Sequence, residues 1–127
     1  MQEAGNLDAA KSALGWVAAQ STDAGYKAIA KLRLSSVLME QKQFDAALQQ
    51  LQGSFPPEFE GVAADRKGDV LMLLDRRSDA VVEYGRAYKA LDETIEYRRM
   101  VEVKLNGLGV DPQSTSSGAI ASPDVKK

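Results

Sequence analysis

Between Leu7 and Leu105, apolar side chains recur every three or four residues, and short polar or proline-bearing breaks separate the runs that carry them. That period belongs to amphipathic helices; strands would alternate. A first helix is expected from about 7 to 20, with Asn6 as its N-cap and Leu7, Ala10, Leu14 and Val17 on one face. Ser21-Thr22-Asp23 ends it and offers caps for a second, from about 24 to 41, whose apolar surface is broad: Ile29, Leu32, Leu34, Val37, Leu38 and Met39. A third helix starts near Phe44-Asp45 and stops at Gly53-Ser54, because Phe55-Pro56-Pro57 cannot be helix interior. A fourth is expected from about Phe59 to Leu74 and a fifth from an N-cap at Ser78 to about Leu91. A sixth, capped by Thr94, carries Ile95, Tyr97, Met100, Val101 and Leu105 to a stop at Asn106-Gly107. Small and polar residues dominate from there on, so 109–127 reads as a flexible tail.

Two of these stretches superpose when one slides by 33 residues: Leu34 to Leu51 on Lys67 to Tyr84. Ser35, Ala47 and Leu51 fall on Gly68, Ala80 and Tyr84. In a unit numbered from Ala28, and again from Gly61, small residues stand at places 8 and 20, and larger ones at places 11 and 24. This resembles the tetratricopeptide repeat, a helix–turn–helix unit of about 34 residues. Small places let the two backbones approach, and large ones fill the gaps between helices. The second unit departs from the pattern at Lys67 and Arg77, and its turn lacks glycine. The first segment, with Gly5, Leu7, Asp8, Ala10 and Leu14, matches the turn and second helix of a further unit. The expected fold is therefore all-α, a right-handed superhelix of antiparallel pairs with about six helices. Residues 1–108 would form the repeat domain: an incomplete repeat at 5–20, repeats at about 24–54 and 58–92, and a closing helix at 94–107. The first helix of the incomplete repeat would lie upstream of Met1, leaving Leu7, Leu14 and Val17 available for self-association.

Such arrays hold other proteins on the surface lined by the first helix of each unit. In the first unit this surface comprises Ile29, Leu32, Ser36, Met39 and Glu40, and in the second Val62, Asp65, Asp69, Met72 and Leu73. Methionine recurs at one place, as in surfaces that accept varied apolar segments, although Met and Leu at this spacing also build cores. Asp65 and Asp69 lie one helical turn apart. Paired carboxylates can do acid–base work, so a carboxylate-based hydrolase is a rival reading. No nucleophile, third ligand or glycine-rich loop lies near them, and solvated surface acids are expected.

Composition narrows the chemistry further. The chain has 127 residues, a net charge of −2 and neither cysteine nor histidine. Thiolate chemistry, disulfides and the usual zinc ligands are thereby absent. The mixed charge lacks the basic footprint of a nucleic-acid binder. No apolar run reaches the roughly 20 residues of a membrane span, and no signal peptide is recognisable. No cofactor, metal or catalytic residue is expected.

The order Ala30-Lys31-Leu32-Arg33-Leu34-Ser35, Phe44-Asp45-Ala46-Ala47-Leu48, Gly68-Asp69-Val70-Leu71 and Met100 to Leu108, with Lys104-Leu105-Asn106, resembles the YfgM-like family, the ancillary SecYEG translocon subunits of Gram-negative bacteria. The resemblance covers roughly residues 5–108. It implies the periplasmic domain of a protein anchored in the inner membrane, the anchor lying outside this chain. It also implies as partners the SecYEG translocon, a periplasmic prolyl-isomerase-type chaperone and unfolded secreted clients. Rival readings are a generic repeat adaptor in envelope assembly and a module that sequesters a regulatory protein.

Overall fold

Each short polar break in the sequence becomes a turn that folds the chain back on itself. The computed structural model describes residues 2–92 and 95–112, with side chains from residue 5 onward. Among them are six helices, α1 (Gln2–Gln20), α2 (Ala24–Glu40), α3 (Phe44–Gln50), α4 (Pro57–Leu73), α5 (Arg77–Ala90) and α6 (Glu96–Gly107). The pairs α2–α3 and α4–α5 fall on the stretches read as repeats, and α1 packs along α2. The α1–α2 pair runs antiparallel. Gln41 Nε2, just past the end of α2, donates to Asp8 Oδ1 near the start of α1 at 2.8 Å.

Asp23 caps α2 as expected, its Oδ1 accepting the Tyr26 N–H at 3.0 Å. Such a cap contributes about 1 kcal/mol. Three other ends differ from the sequence reading. Asn6 is not an N-cap, since α1 begins at Gln2, where Gln2, Glu3 and Ala4 carry the helix through Gly5 and Asn6. Ser78 lies inside the first turn of α5, and Arg76 occupies the capping place. The α4–α5 turn is one residue tighter than expected because Arg76 N–H bonds directly back to the Leu71 carbonyl at 2.8 Å. The short α3 ends at Gln50 in tightened bonds, Leu51 N–H to the Leu48 carbonyl and Gln52 N–H to the Gln49 carbonyl. Thr94, expected to cap α6, lies outside the described residues, and Ile95 takes the place before that helix.

The turns inside the repeats share one device. Lys42 and Asp75, 33 residues apart, both adopt left-handed backbone, with φ of 62° and 63°. In each, the next N–H reaches back five residues, from Gln43 to the Leu38 carbonyl and from Arg76 to the Leu71 carbonyl, both at 2.8 Å. This is the Schellman closure that glycine usually supplies. Gly109, with φ 84°, closes α6 in the same way, Val110 N–H bonding the Leu105 carbonyl at 2.9 Å. The last helix thus ends as the first helix of a repeat does.

Two apolar cores sit side by side. The first joins Leu14 of α1 with Ala28, Leu32, Leu34, Leu38, Ala47, Leu51, Phe55, Ala63 and Val70. The second joins Ala64, Leu71, Ala80, Tyr84, Ala87, Tyr88, Val101 and Leu105, and Leu48 touches both. Gly68, at the small eighth place of the repeat, is required by packing, and so is Gly61, where the repeat pattern gave no such expectation. A Cβ added to Gly68 would lie 2.5 Å from Cε1 of Tyr84, and one added to Gly61 would lie 2.7 Å from Cγ of Leu91. Packing continues beyond 108, since Val110 rests on the second core and Pro112 is buried. Residues 113–127, expected to be a flexible tail, lie outside the described residues.

Candidate functional site

The ten residues expected to line a groove separate into several environments. Leu32 is buried in the first core, and Met39 and Val62 pack against that core half-buried. Met72 packs against the second core, while Ser36, Glu40 and Leu73 are exposed. Ile29 turns toward α1 and lines a cleft with it. The structure brings Leu32 and Ser36 together under a guanidinium from α4: Arg66 Nη1 donates to the Leu32 carbonyl at 2.9 Å and to Ser36 Oγ.

Asp65 is not a solvated surface acid, while Asp69 keeps about a third of its side chain exposed (32%). Asp65 is 2% exposed. A carboxylate so buried is stable only when paired and hydrogen-bonded, and α6 supplies the partners. Lys104 Nζ lies 2.9 Å from Asp65 Oδ1 and 3.0 Å from Asp69 Oδ1. Tyr97 donates its hydroxyl to Asp65 Oδ2 at 2.6 Å, and Tyr84 of α5 donates to Asp69 Oδ1 at 2.6 Å. Burial and the hydrogen bonds to these carboxylates hold both phenols well above their ordinary range. Burial acts to lower the Lys104 ammonium, but the hydrogen bond to Asp65 and the charges of both acids outweigh it and raise the group. The five side chains form a hub that ties α4, α5 and α6 together. One ammonium and two phenols already occupy the carboxylates, so the hub serves to hold helices in place. That argues against the hydrolase reading.

Sequence reasoning missed Arg66, Lys104, Tyr84 and Tyr97 as members of these contacts. The one signal available was spacing: Tyr97, Val101 and Lys104 recur at helical intervals, marking one face of α6. Arg98 also belongs to the fold: it stacks on the Tyr88 ring, 3.8 Å from its centroid, and donates to the Tyr88 carbonyl.

At the other end of the array, α1 and α2 border an open cleft of about 490 Å³. Leu14 and Val17 from α1 and Ile29 from α2 give it an apolar lining. Trp16 and Tyr26 stand at its edges, 68% and 67% exposed.

This architecture, two helix pairs closed by matching left-handed turns with a further helix packed at either end, is that of a repeat scaffold. A family model described as a tetratricopeptide repeat-like domain matches residues 1–110, and the chain belongs to that family. The chain is also similar to a protein of Neisseria gonorrhoeae named as an ancillary SecYEG translocon subunit, with 31% identity over 106 residues. The match covers 84% of this chain and 51% of that relative, so the chain spans about half of the relative's length. It agrees with the YfgM-like pattern read from Ala30 to Ser35 and from Met100 to Leu108. No solved structure matches the chain. Among the described residues, no helix is long and apolar enough to cross a membrane.

Proposed function

We propose that this chain is the protein-binding part of an ancillary subunit of the SecYEG translocon. It would act on the periplasmic side of the inner membrane, beside a prolyl-isomerase-type chaperone, and receive unfolded clients as they leave the channel. The observation that carries the reading is the similarity to the Neisseria subunit over most of this chain, on a fold whose business is protein contact. The acid pair supports a non-enzymatic role, because the hub leaves neither carboxylate free for acid–base work. The chaperone, the clients and the periplasmic side rest on the family resemblance alone.

Tagging the native protein and solubilising membranes in mild detergent tests this. The reading expects the SecYEG subunits to co-purify with the tagged protein. Their reproducible absence, with other translocon partners recovered in parallel, would overturn it.

A further inference from the structure

The cleft between α1 and α2 has a chemistry of its own. Trp16, Tyr26 and Arg33 are the residue types that dominate binding hot spots, and all three line it. Arg33 is the charged residue of the lining, which contains no carboxylate. Among the described residues Arg33 forms no ion pair or hydrogen bond, and neither the Trp16 indole N–H nor the Tyr26 hydroxyl has a partner. Arg66 and Arg76 behave differently, each being satisfied within the fold. Leu14 and Val17 form a ridge at i and i+3 on α1, and Ile29 and Arg33 stand one turn apart on α2.

The form of the occupant follows from the walls. Both are helices, whose backbone groups are already bonded, so the cleft offers no edge to which an extended strand could add. A helix keeps its own backbone bonded and lays a stripe of side chains along such an apolar groove, which suits the ridge of Leu14 and Val17. The charge of the occupant follows from Arg33: a carboxylate beside the apolar stripe would complete the guanidinium, and a cation there would be repelled.

We propose that the α1–α2 cleft is a docking site for an acidic amphipathic helix from a partner protein, with apolar side chains on Val17 and Ile29 and a carboxylate on Arg33. The proposal rests on the protein-interaction reading above. It is tested on the purified chain, so a failure to co-purify with the translocon would leave it standing.

The chain contains a single tryptophan, so the emission of Trp16 reports on the cleft directly. The 127-residue chain is titrated with a synthetic amphipathic peptide carrying leucines one helical turn apart with a neighbouring glutamate, and with its counterpart carrying lysine instead. The glutamate peptide is expected to shift Trp16 emission to the blue in a saturable way that weakens as salt rises. The lysine counterpart should bind about tenfold more weakly, and Arg33→Glu should reverse the preference. Arg33 is exposed, so this variant keeps the melting temperature of the parent and isolates binding from folding. Equal affinity for the two peptides, or no shift with either, overturns the proposal. Free chain that already emits blue and ignores both peptides means another part of the same chain fills the cleft, and also overturns it. So does a blue shift that follows protein concentration with a dimer mass in light scattering, since the occupant is then a second copy.

Discussion

In the first repeat, places 5 and 9 hold Leu32 and Ser36; in the second they hold Asp65 and Asp69. Both pairs sit under a cation from the helix two places further along the chain. Arg66 of α4 reaches the Leu32 carbonyl and Ser36 Oγ, and Lys104 of α6 reaches the two carboxylates. The geometry recurs, but its energetics do not. Arg66 adds a latch to helices already joined by an apolar core, and removing it strands no charge. Lys104 neutralises a carboxylate that has almost no access to water, so the second junction depends on it. A repeat therefore conserves the shape of a junction while leaving its chemistry free, and the chemistry decides how brittle the junction is.

The largest effect expected from breaking this symmetry is that of Lys104→Ala. It leaves Asp65 buried without its cation and should destabilise the chain by about 3 kcal/mol, whereas Arg66→Ala should cost about 1 kcal/mol. Chemical denaturation of both variants checks the contrast, and similar losses would erase it. Gly68→Ala comes next. The new methyl group meets a Tyr84 ring that Asp69 holds in place, and the expected loss is about 2 kcal/mol despite the better helix propensity of alanine. In the first repeat the matching pair is Ser35 and Leu51, both buried, and there a side chain beyond Cβ is accommodated. A Tyr84→Leu background should therefore reduce the penalty for alanine at 68, as a thermal-melt series would show.

Alkali probes the same hub without mutation. Tyr84, Tyr97 and Lys104 are all raised in the folded chain. A raised group contributes stability that is complete below its unfolded value and lost as pH rises through the folded one. Because those unfolded values lie near 10, this contribution should be unchanged from neutral pH to about 9 and should decline above about 10. Tyr97→Phe should make the decline shallower in melts recorded against pH. The smallest effects belong to the turns. Lys42→Gly relieves left-handed strain and should stabilise by about 1 kcal/mol, and Asp75→Gly by less, because aspartate tolerates this backbone region better than lysine. No gain at Lys42 in thermal melts would contradict the strained turn.

These differences also explain what could be read in advance. Helix number and order were legible because apolar spacing repeats through every segment, and Gly68 and Ala80 announced close backbone contact. The turns were harder, since Lys42 occupies a left-handed place that no local residue preference marks, and the tolerance of aspartate for that region is only a weak signal at Asp75. Asp65 and Asp69 looked like exposed acids because their partner lies 39 and 35 residues downstream. Helical periodicity identifies a face but does not say which helix will cover it. The cleft was half legible. Leu14 and Val17 stood out as an unpartnered face, but Trp16, Tyr26 and Arg33 gained meaning only when α1 and α2 came together.

Asp65 and Lys104 act as one unit to hold the closing helix, and a double-mutant cycle tests this most directly. Asp65→Leu gives the second repeat the residue the first carries at that place, and Lys104→Met removes the cation that would then lack this partner. The two single losses, measured by denaturation, should exceed the loss in the double variant by about 1–2 kcal/mol. Losses that add to within about 0.5 kcal/mol would contradict the claim and return the two carboxylates to the surface role their sequence suggested.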